Sequence, residues 1–339
     1  MLLCDTLESQ REARERVREQ ASRSVLHRLT SASAPWQAAS NEKSANTKGS
    51  TGQAETLASA WQRLSDHFEV LLDQPETVRR FHQSILQLAV QGKLVPQDPS
   101  YELAAVSFVE AVVSERTSYD LPKIKFKQKT FDEALGETQF PIEWSCLPLA
   151  DVALAIVDCP HSTPKWTEAG KVCVRTNQFQ PGFLDLSESR YVSQETYQER
   201  IQRLEPREND ILYSREGGIL GVACRIPPEV ELCLGQRMML LRPPTIMDAG
   251  YLELVLNAPF ITKIAKGKTT GAAAPRVNVA TVKAYPIPVP PLAEQKRIVS
   301  KVSILLSQCD ELSAQLLSRQ STTDALLTAL IHQVLDGAA

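Results

Sequence analysis

The sequence has no apolar run long enough to cross a membrane and no pair of cysteines in a CxxC pattern. Its first residues, Met1-Leu2-Leu3-Cys4, lack the basic and apolar regions of a secretory signal peptide. The seven cysteines are an odd number, which is typical of free thiols in a reducing compartment. These absences predict a cytoplasmic protein with no disulfide framework and no membrane partner.

An excess of basic charge is also lacking. The formal net charge is −3, so the chain as a whole does not indicate a polyanion partner, and any surface for nucleic acid must be a local patch. The 43% hydrophobic content is ordinary for a soluble protein and allows a sizeable core. A length of 339 residues gives room for two or three structural units.

No nucleophile–base constellation is recognisable, and two catalytic motifs are incomplete. Gly267-Lys268-Thr269 ends like a phosphate-binding P-loop, but Thr262 stands where that motif needs glycine. Asn257-Ala258-Pro259-Phe260 resembles the Asn-Pro-Pro-Phe/Tyr motif of amino-methyltransferases, but its second position is alanine and no Gly-rich cofactor loop precedes it. The sequence therefore predicts a non-catalytic protein that needs no cofactor and no metal.

Composition divides the chain into five parts. Residues 1–54 are predicted to be a charged helix and a flexible, low-complexity extension. Residues 55–120 are predicted to be a helical region with Gly92 as a C-cap, and residues 121–140 a basic connector. Residues 141–291 are predicted to be a mixed α/β domain, and residues 292–336 one long helix. Strands of the mixed domain are expected at 171–175, 210–214, 220–226 and 237–241, with one helix over about 249–266.

The long helix begins directly after a proline-rich strand end. Pro290 and Pro291 prevent a helix before Leu292, because proline lacks a backbone N–H and restricts the preceding residue. Apolar residues then recur with the four–three spacing of a coiled-coil seam, at Ile298, Val302, Leu305, Cys309, Leu312 and Leu316. The predicted fold class is α+β, one mixed α/β domain flanked by long helices. The helical stretch 55–91 is the expected partner of the seam, in this chain or in another copy.

A basic window runs from Leu254 to Ala293 and contains no acidic residue. It surrounds a loop, residues 267–276, in which small residues let a backbone approach a ligand closely. Lysine, arginine and threonine side chains donate hydrogen bonds to phosphate, although a solvated basic loop has the same composition. The phosphate-contacting candidates are Lys266, Lys268, Thr269 and Arg276.

Other polar clusters carry side chains that suit base edges. Arginine pairs with guanine, and asparagine or glutamine pairs with adenine, through two hydrogen bonds. Each cluster alone is weak evidence, since polar side chains on turns are usually only solvated. His161 is a solitary histidine and is not expected to be a metal ligand or a catalytic base. The candidates are His161, Lys165, Arg175, Asn177, Gln178, Arg215, Gln236 and Arg237.

Three stretches of the chain resemble the specificity (HsdS) subunit of type I restriction–modification systems. Residues 80–94, from Arg80 to Leu94, resemble the end of that family's first conserved helix. Residues 285–299 contain Pro-Pro-Leu-Ala-Glu-Gln and resemble the junction into the other conserved helix. Between them, segments 174–178, 208–214 and 235–237 follow the pattern of a target recognition domain. The resemblance covers residues 56–335 and leaves residues 1–54 outside.

The resemblance implies a half-length specificity subunit with one target recognition domain, since the full family member has two. It implies an antiparallel coiled coil of the conserved helices, which sets the spacer of a split DNA site. The implied partners are double-stranded DNA, methyltransferase subunits and a restriction subunit. Because one domain reads only a few base pairs, we expect two copies to pair through their helices, or this chain to pair with another specificity chain.

Two other interpretations stay open from the residues. The chain is a coiled-coil scaffold whose middle domain binds protein, in which case neutralising Lys266, Lys268 and Arg276 leaves partner function intact. Alternatively it is a stand-alone DNA adenine methyltransferase, for which the missing cofactor motif is contrary evidence and S-adenosylmethionine binding is the deciding observation.

Overall fold

The computed structural model describes residues 2–32, 56–97, 105–119, 121, 124, 138–141, 143–271 and 275–336. The chain divides into two compact units, unit 1 with Met1–Leu88 and Lys301–Ala339, and unit 2 with Ala89–Ser300. The helices are α1 (Leu2–Ser31), α2 (Leu57–Asp66), α3 (Phe68–Leu71), α4 (Pro75–Val90), α5 (Ala105–Ser118), α6 (Leu149–Val152), α7 (Gln194–Ile201), α8 (Ala249–Asn257), α9 (Pro259–Gly267), α10 (Val279–Lys283) and α11 (Leu292–Asp336).

The strands all lie in unit 2 within the described residues. They are β1 (Ser145–Pro148), β2 (Ala155–Asp158), β3 (Trp166–Thr167), β4 (Lys171–Val174), β5 (Phe179–Gln180), β6 (Phe183–Leu184), β7 (Tyr191–Val192), β8 (Ile211–Ser214), β9 (Ala223–Arg225), β10 (Leu232–Leu234), β11 (Met238–Arg242), β12 (Thr269–Thr270), β13 (Arg276–Val277) and β14 (Pro286–Val289).

The extension predicted to be flexible contains a docked helix. Within unit 1, Leu29 of α1 is fully buried, and Ser22 donates a hydrogen bond from its hydroxyl to the backbone oxygen of Leu71 at 2.8 Å. Arg18 and Glu19 form ion pairs with Asp73 and Arg80 at 2.7 Å and 3.0 Å. Residues 2–31 form the helix, and apolar side chains on one face of α1 pack within unit 1, so this part of residues 1–54 is docked and not a flexible extension. The rest of that stretch, 33–54, lies outside the described residues.

The coiled-coil pattern of α11 is visible in its burial. Val302 and Cys309 are buried, while Leu305, Leu312 and Leu316 are partly buried. Burial lowers the pKa of His82 in α4, and the nearby charge of Asp310 in α11 opposes that shift. Helix α4 therefore lies beside α11 within unit 1. Beyond Leu316 the described side chains of the helix are exposed. The first part of the seam therefore has a partner in this chain and the last part has none among the described residues.

The core of unit 2 is built on two four-stranded sheets. One has the strand order β2-β11-β8-β9 and is antiparallel throughout, and the other has the order β10-β4-β7-β3 with β10 parallel to β4. All side chains of β8 and the first four of β11 are buried. Strand β1 pairs separately with β14 and joins the start of the domain to the strand before α11.

One prediction about the helices of unit 2 is wrong, and further helices were not predicted, α7 among them. The single helix expected over about 249–266 is two helices, because Ala258 is extended before Pro259 and proline supplies no N–H to continue α8. Helix α7 was missed, although Ser193 caps it by accepting a hydrogen bond from the backbone N–H of Thr196. The four expected strands exist, with ends shifted by one to three residues.

In the Pro-Pro-Leu-Ala-Glu-Gln segment, the side chain of Gln295 bonds to the backbone on both sides of the junction. This side chain is buried, donates a hydrogen bond to the backbone oxygen of Pro290 at 2.8 Å and accepts one from the backbone N–H of Asp248 at 2.8 Å. Asp248 in turn caps α8 through the N–H of Tyr251. The glutamine thus fastens the first turn of α11 to the start of α8.

None of the described helices combines the length and apolar character needed to span a membrane. The six cysteines whose side chains the structure describes are free thiols, and five of them are buried. Cys4 has no described side chain.

We predict that replacing Leu29 by alanine lowers the unfolding free energy of α1 by ~2–5 kcal/mol, since a buried leucine loses its contacts and leaves a cavity. Hydrogen exchange of the α1 backbone amides measures this change. Val17→Ala is the matched control, because Val17 is 67% exposed on the same helix. Equal exchange in the two variants would contradict the docking of α1.

Candidate nucleic-acid interface

The ends of several strands meet at one edge of unit 2. Strand β11 is antiparallel to both β2 and β8, with Met239 opposite Asp158 and Met238 opposite Ser214. The start of β11 therefore lies beside the ends of β2 and β8. The loops that follow those two strands carry His161, Lys165 and Arg215.

The second sheet adds two loops to the same edge. Strands β4 and β10 are parallel, with Leu234 opposite Val174, so both end side by side. The backbone N–H of Gly235 donates to the oxygen of Val174 at 2.9 Å, and a side chain on Gly235 would collide with that oxygen. Residues 235–237 then lead directly into β11. Arg175 and Arg237 are thereby brought to the edge formed by β2 and β8.

The basic hairpin β12–β13 completes this edge. Thr270 pairs with Arg276, and Thr269 pairs with Val277. The N–H of Val277 donates to the backbone oxygen of Arg215 at 2.9 Å, which fixes the hairpin to the loop after β8. We call the described residues of 159–165, 175–178, 215–217, 235–237 and 266–277 the loop edge.

Most of the candidates on the loop edge point into solvent. Arg237 adopts a left-handed backbone conformation (φ 67°) at the tip of its turn, which is uncommon for a residue other than glycine. Gln236, partly buried, donates a hydrogen bond from its side-chain amide to the backbone oxygen of His161 at 2.6 Å. Arg175 and Thr269 are also partly buried. The exposed candidates are His161, Lys165, Asn177, Arg237, Lys266, Lys268 and Arg276.

Gln178 does not suit the role of a base-reading residue. It is 3% exposed, accepts a hydrogen bond from the backbone N–H of Arg175 at 2.8 Å and donates one to the backbone oxygen of Asp185 at 3.1 Å. Both ends of its amide are therefore occupied inside the protein. Its neighbour Asn177 is exposed in the same 3-10 turn, Thr176–Gln178, and keeps its amide available.

Arg215 is a second candidate that the structure reassigns. Its guanidinium forms two parallel hydrogen bonds to the carboxylate of Asp158, both 2.9 Å, and a further ion pair with Glu216 at 2.9 Å. The residue is 6% exposed. A guanidinium that is buried and paired on both sides has no free fork for a guanine, so the prediction that Arg215 reads a base edge is wrong.

Sequence reasoning missed two features of this region. Arg200 is buried and donates hydrogen bonds to backbone oxygens at the loop edge. Arg190 lies over the ring of Trp166, with 5.5 Å between the guanidinium carbon and the ring centroid. Arg200 lies in α7, a helix that the sequence pattern did not predict, so nothing in the sequence indicated that this arginine is buried. The contact between Arg190 and Trp166 joins strand β3 to the loop before β7. Residues so far apart in sequence form no local sequence pattern.

Two side chains near the loop edge that could take part in chemistry are held within the fold. Burial raises the pKa of the Cys159 thiol, which keeps it protonated and weakly nucleophilic at neutral pH. The Asn257 side chain accepts from the N–H of Ala223 at 3.0 Å and donates to the oxygen of Ala223 at 2.9 Å, so it fastens α8 to β9. In the part of the chain that the structure describes, no group of three His, Cys, Asp or Glu side chains is placed to hold a metal ion.

The family model for the type I restriction modification DNA specificity domain matches residues 141–319, more than half of the chain. The chain belongs to this family. The matched range contains every strand of the described residues and the whole loop edge.

The curated relatives are specificity subunits of type I restriction enzymes. The chain is 26% identical to the type I restriction enzyme EcoEI specificity subunit of Escherichia coli, over 99% of this chain and 55% of the relative. It is 25% identical to the EcoAI specificity subunit of Escherichia coli, over 82% of this chain and 49% of the relative. The chain thus spans about half the length of the curated relatives it matches. A crystal structure of the HsdS subunit from Thermoanaerobacter tengcongensis aligns with a TM-score of 0.38 and 17% identity, covering 81% of this chain and 62% of that one.

Proposed function

We propose that this chain is a DNA sequence-recognition subunit of a type I restriction–modification complex and that the loop edge is its DNA-contacting surface. The observation that carries the proposal is the convergence of cationic and amide side chains from four separate segments at one edge of a DNA specificity domain. Dispersed over the surface, such residues would only be solvated. Gathered at one edge, they match a polyanion that also presents base edges.

The loop edge divides into two kinds of contact under this proposal. Lys266, Lys268, Thr269 and Arg276 contact phosphate, because they lie at the C-terminal end of α9 and on the adjoining hairpin, where no acidic residue is near in sequence. Arg175, Asn177 and Arg237, assisted by His161, Lys165 and Gln236, face base edges from the loops that end the strands. In this scheme Gln178 and Arg215 support those loops from inside.

The remaining parts of the chain follow from the same proposal. Residues 141–291 act as one target recognition domain, residues 55–120 and 292–336 as the helical regions, and residues 121–140 as the connector. The subunit itself is non-catalytic. Methyltransferase subunits and a restriction subunit supply the chemistry, and the helical regions dock them.

Self-association is the final part of the proposal. The end of α11 exposes Leu317, Leu326, Leu327 and Leu330, each more than half exposed. These residues continue a helix whose earlier seam is buried. Pairing of two copies, or of this chain with another specificity chain, covers that apolar surface and brings two loop edges onto one split DNA site.

Removing the phosphate contacts should weaken DNA binding broadly. For the triple variant Lys266→Ala, Lys268→Ala and Arg276→Ala, we expect lower affinity for all duplex sequences. The slope of log affinity against log salt concentration is negative, and its magnitude should decrease by roughly three, about one for each lost phosphate contact. Fluorescence anisotropy with duplex DNA over a salt series measures both quantities.

The matched control removes three positive charges from the exposed face of α11, with Lys296→Ala, Arg297→Ala and Lys301→Ala. Its salt slope should stay at the wild-type value. A triple variant of the loop edge that kept the wild-type slope would contradict the phosphate assignment and favour the scaffold interpretation.

Pairing should depend on the exposed leucines at the end of α11. In Leu326→Glu and Leu330→Glu together, charge replaces the apolar face, so sedimentation at micromolar concentration with the methyltransferase subunit should show one specificity chain per particle instead of two. Ser321→Glu and Thr328→Glu, on the other side of the helix, are the control. A wild-type chain that stayed single under these conditions would contradict self-association.

A further inference from the structure

Two buried arginines lie beneath the exposed side chains of the loop edge. Arg200 and Arg215 are each 6% exposed, so neither reaches a ligand on the surface. A charged group is costly to bury unless every donor has a partner. The partners of these two guanidinium groups therefore show which parts of the fold they hold in place.

Arg200 joins two loops through their backbones. Its guanidinium donates to the oxygens of Leu234 at 2.6 Å and Gly235 at 2.8 Å, and to the oxygen of Ser162 at 3.3 Å and 3.4 Å. Leu234 and Gly235 lead into the turn that carries Arg237. Ser162 belongs to the loop between β2 and β3 that carries His161 and Lys165. One side chain thus sets the separation of the two loops.

Arg215 joins the same loop region to the basic hairpin. It holds the carboxylate of Asp158, at the end of β2, through hydrogen bonds donated by Nε and Nη2 of its guanidinium. Its backbone N–H donates to the oxygen of Arg237 at 3.2 Å, and its backbone oxygen accepts from Val277 at 2.9 Å. The residue therefore connects the loop after β2, the turn before β11 and strand β13.

We propose that Arg200 and Arg215 are positioning residues that set the sequence specificity of the loop edge without touching DNA. This inference rests on the proposed function. Discriminating base contacts need paired donors and acceptors held to a fraction of an ångström, and side chains on loops hold such geometry only when the loops are fixed from below. Loss of the Arg200 guanidinium frees the turn before β11 from the loop after β2, and loss of the Arg215 guanidinium frees the end of β2 from the segment after β8, while the exposed contacts to phosphate remain.

The opposite end of the same sheet supplies matched controls. Arg242, at the end of β11, binds the carboxylate of Asp210 through two hydrogen bonds of 2.8 Å and 2.6 Å, as Arg215 binds Asp158. Arg116 donates to the backbone oxygens of Ala150, Ala153 and Leu154, just before β2 begins, as Arg200 donates to three backbone oxygens. Each control has the chemistry of its counterpart and lies away from the loop edge.

The experiment compares four methionine variants with the wild-type chain, at positions 200, 215, 116 and 242. Selection from a random pool of duplex DNA first gives the sequence that the wild-type chain prefers. Affinity for that duplex and for a scrambled duplex, and the melting temperature, are then measured for each variant. Arg200→Lys and Arg215→Lys, which keep the charge but not the planar fork, replace any methionine variant that does not fold.

We expect Arg200→Met and Arg215→Met to lose about tenfold in the ratio of the two affinities, the discrimination of about one bidentate base contact, while affinity for the scrambled duplex changes little. Arg116→Met and Arg242→Met should keep the wild-type ratio at a comparable loss of melting temperature. An unchanged ratio at positions 200 and 215, or an equal loss at all four, would overturn the inference but leave the proposed function intact. If the wild-type chain selected no sequence, both would be overturned.

Discussion

The buried pairing of β11 with β2 and β8 is the constraint on which the loop edge depends. Met238 lies opposite Ser214, and Met239 lies opposite Asp158. The start of β11 therefore lies beside the ends of β2 and β8. A shift of one residue would turn the buried side chains of β11 outward and separate the loops. Buried ion pairs, Arg215 with Asp158 and Arg242 with Asp210, lie at the two ends of this pairing, where a shift would leave charges without partners.

Residue chemistry identified candidate segments, but not that they meet at one edge or which of their side chains face solvent. Arg175, Asn177 and Gln178 lie in one four-residue segment and all suit base edges. The amide of Gln178 is nevertheless used by backbone groups of the protein, while Asn177 is exposed. Arg215 is buried because Asp158, 57 residues away in sequence, is brought beside it by two strand pairings. Such pairings depend on tertiary register, which a local pattern does not contain.

The helices, too, were predictable from the sequence only in part. The spacing of Ile298, Val302 and Cys309 predicted a buried seam, and those side chains are buried. The docking of α1 depends on few apolar residues within a highly charged helix, so charge alone suggested a solvated extension. The break before Pro259 was present in the sequence, since the residue preceding proline avoids the helical conformation.

The most direct test of the DNA-contacting surface is lysine acetylation with and without duplex DNA carrying the preferred sequence, measured residue by residue by mass spectrometry. The account predicts that DNA protects Lys165, Lys266 and Lys268, which are exposed on the loop edge, and leaves Lys296 and Lys301 of α11 as reactive as before. Protection of the α11 lysines alone, or no protection of the three loop-edge lysines in a saturated complex, would contradict it.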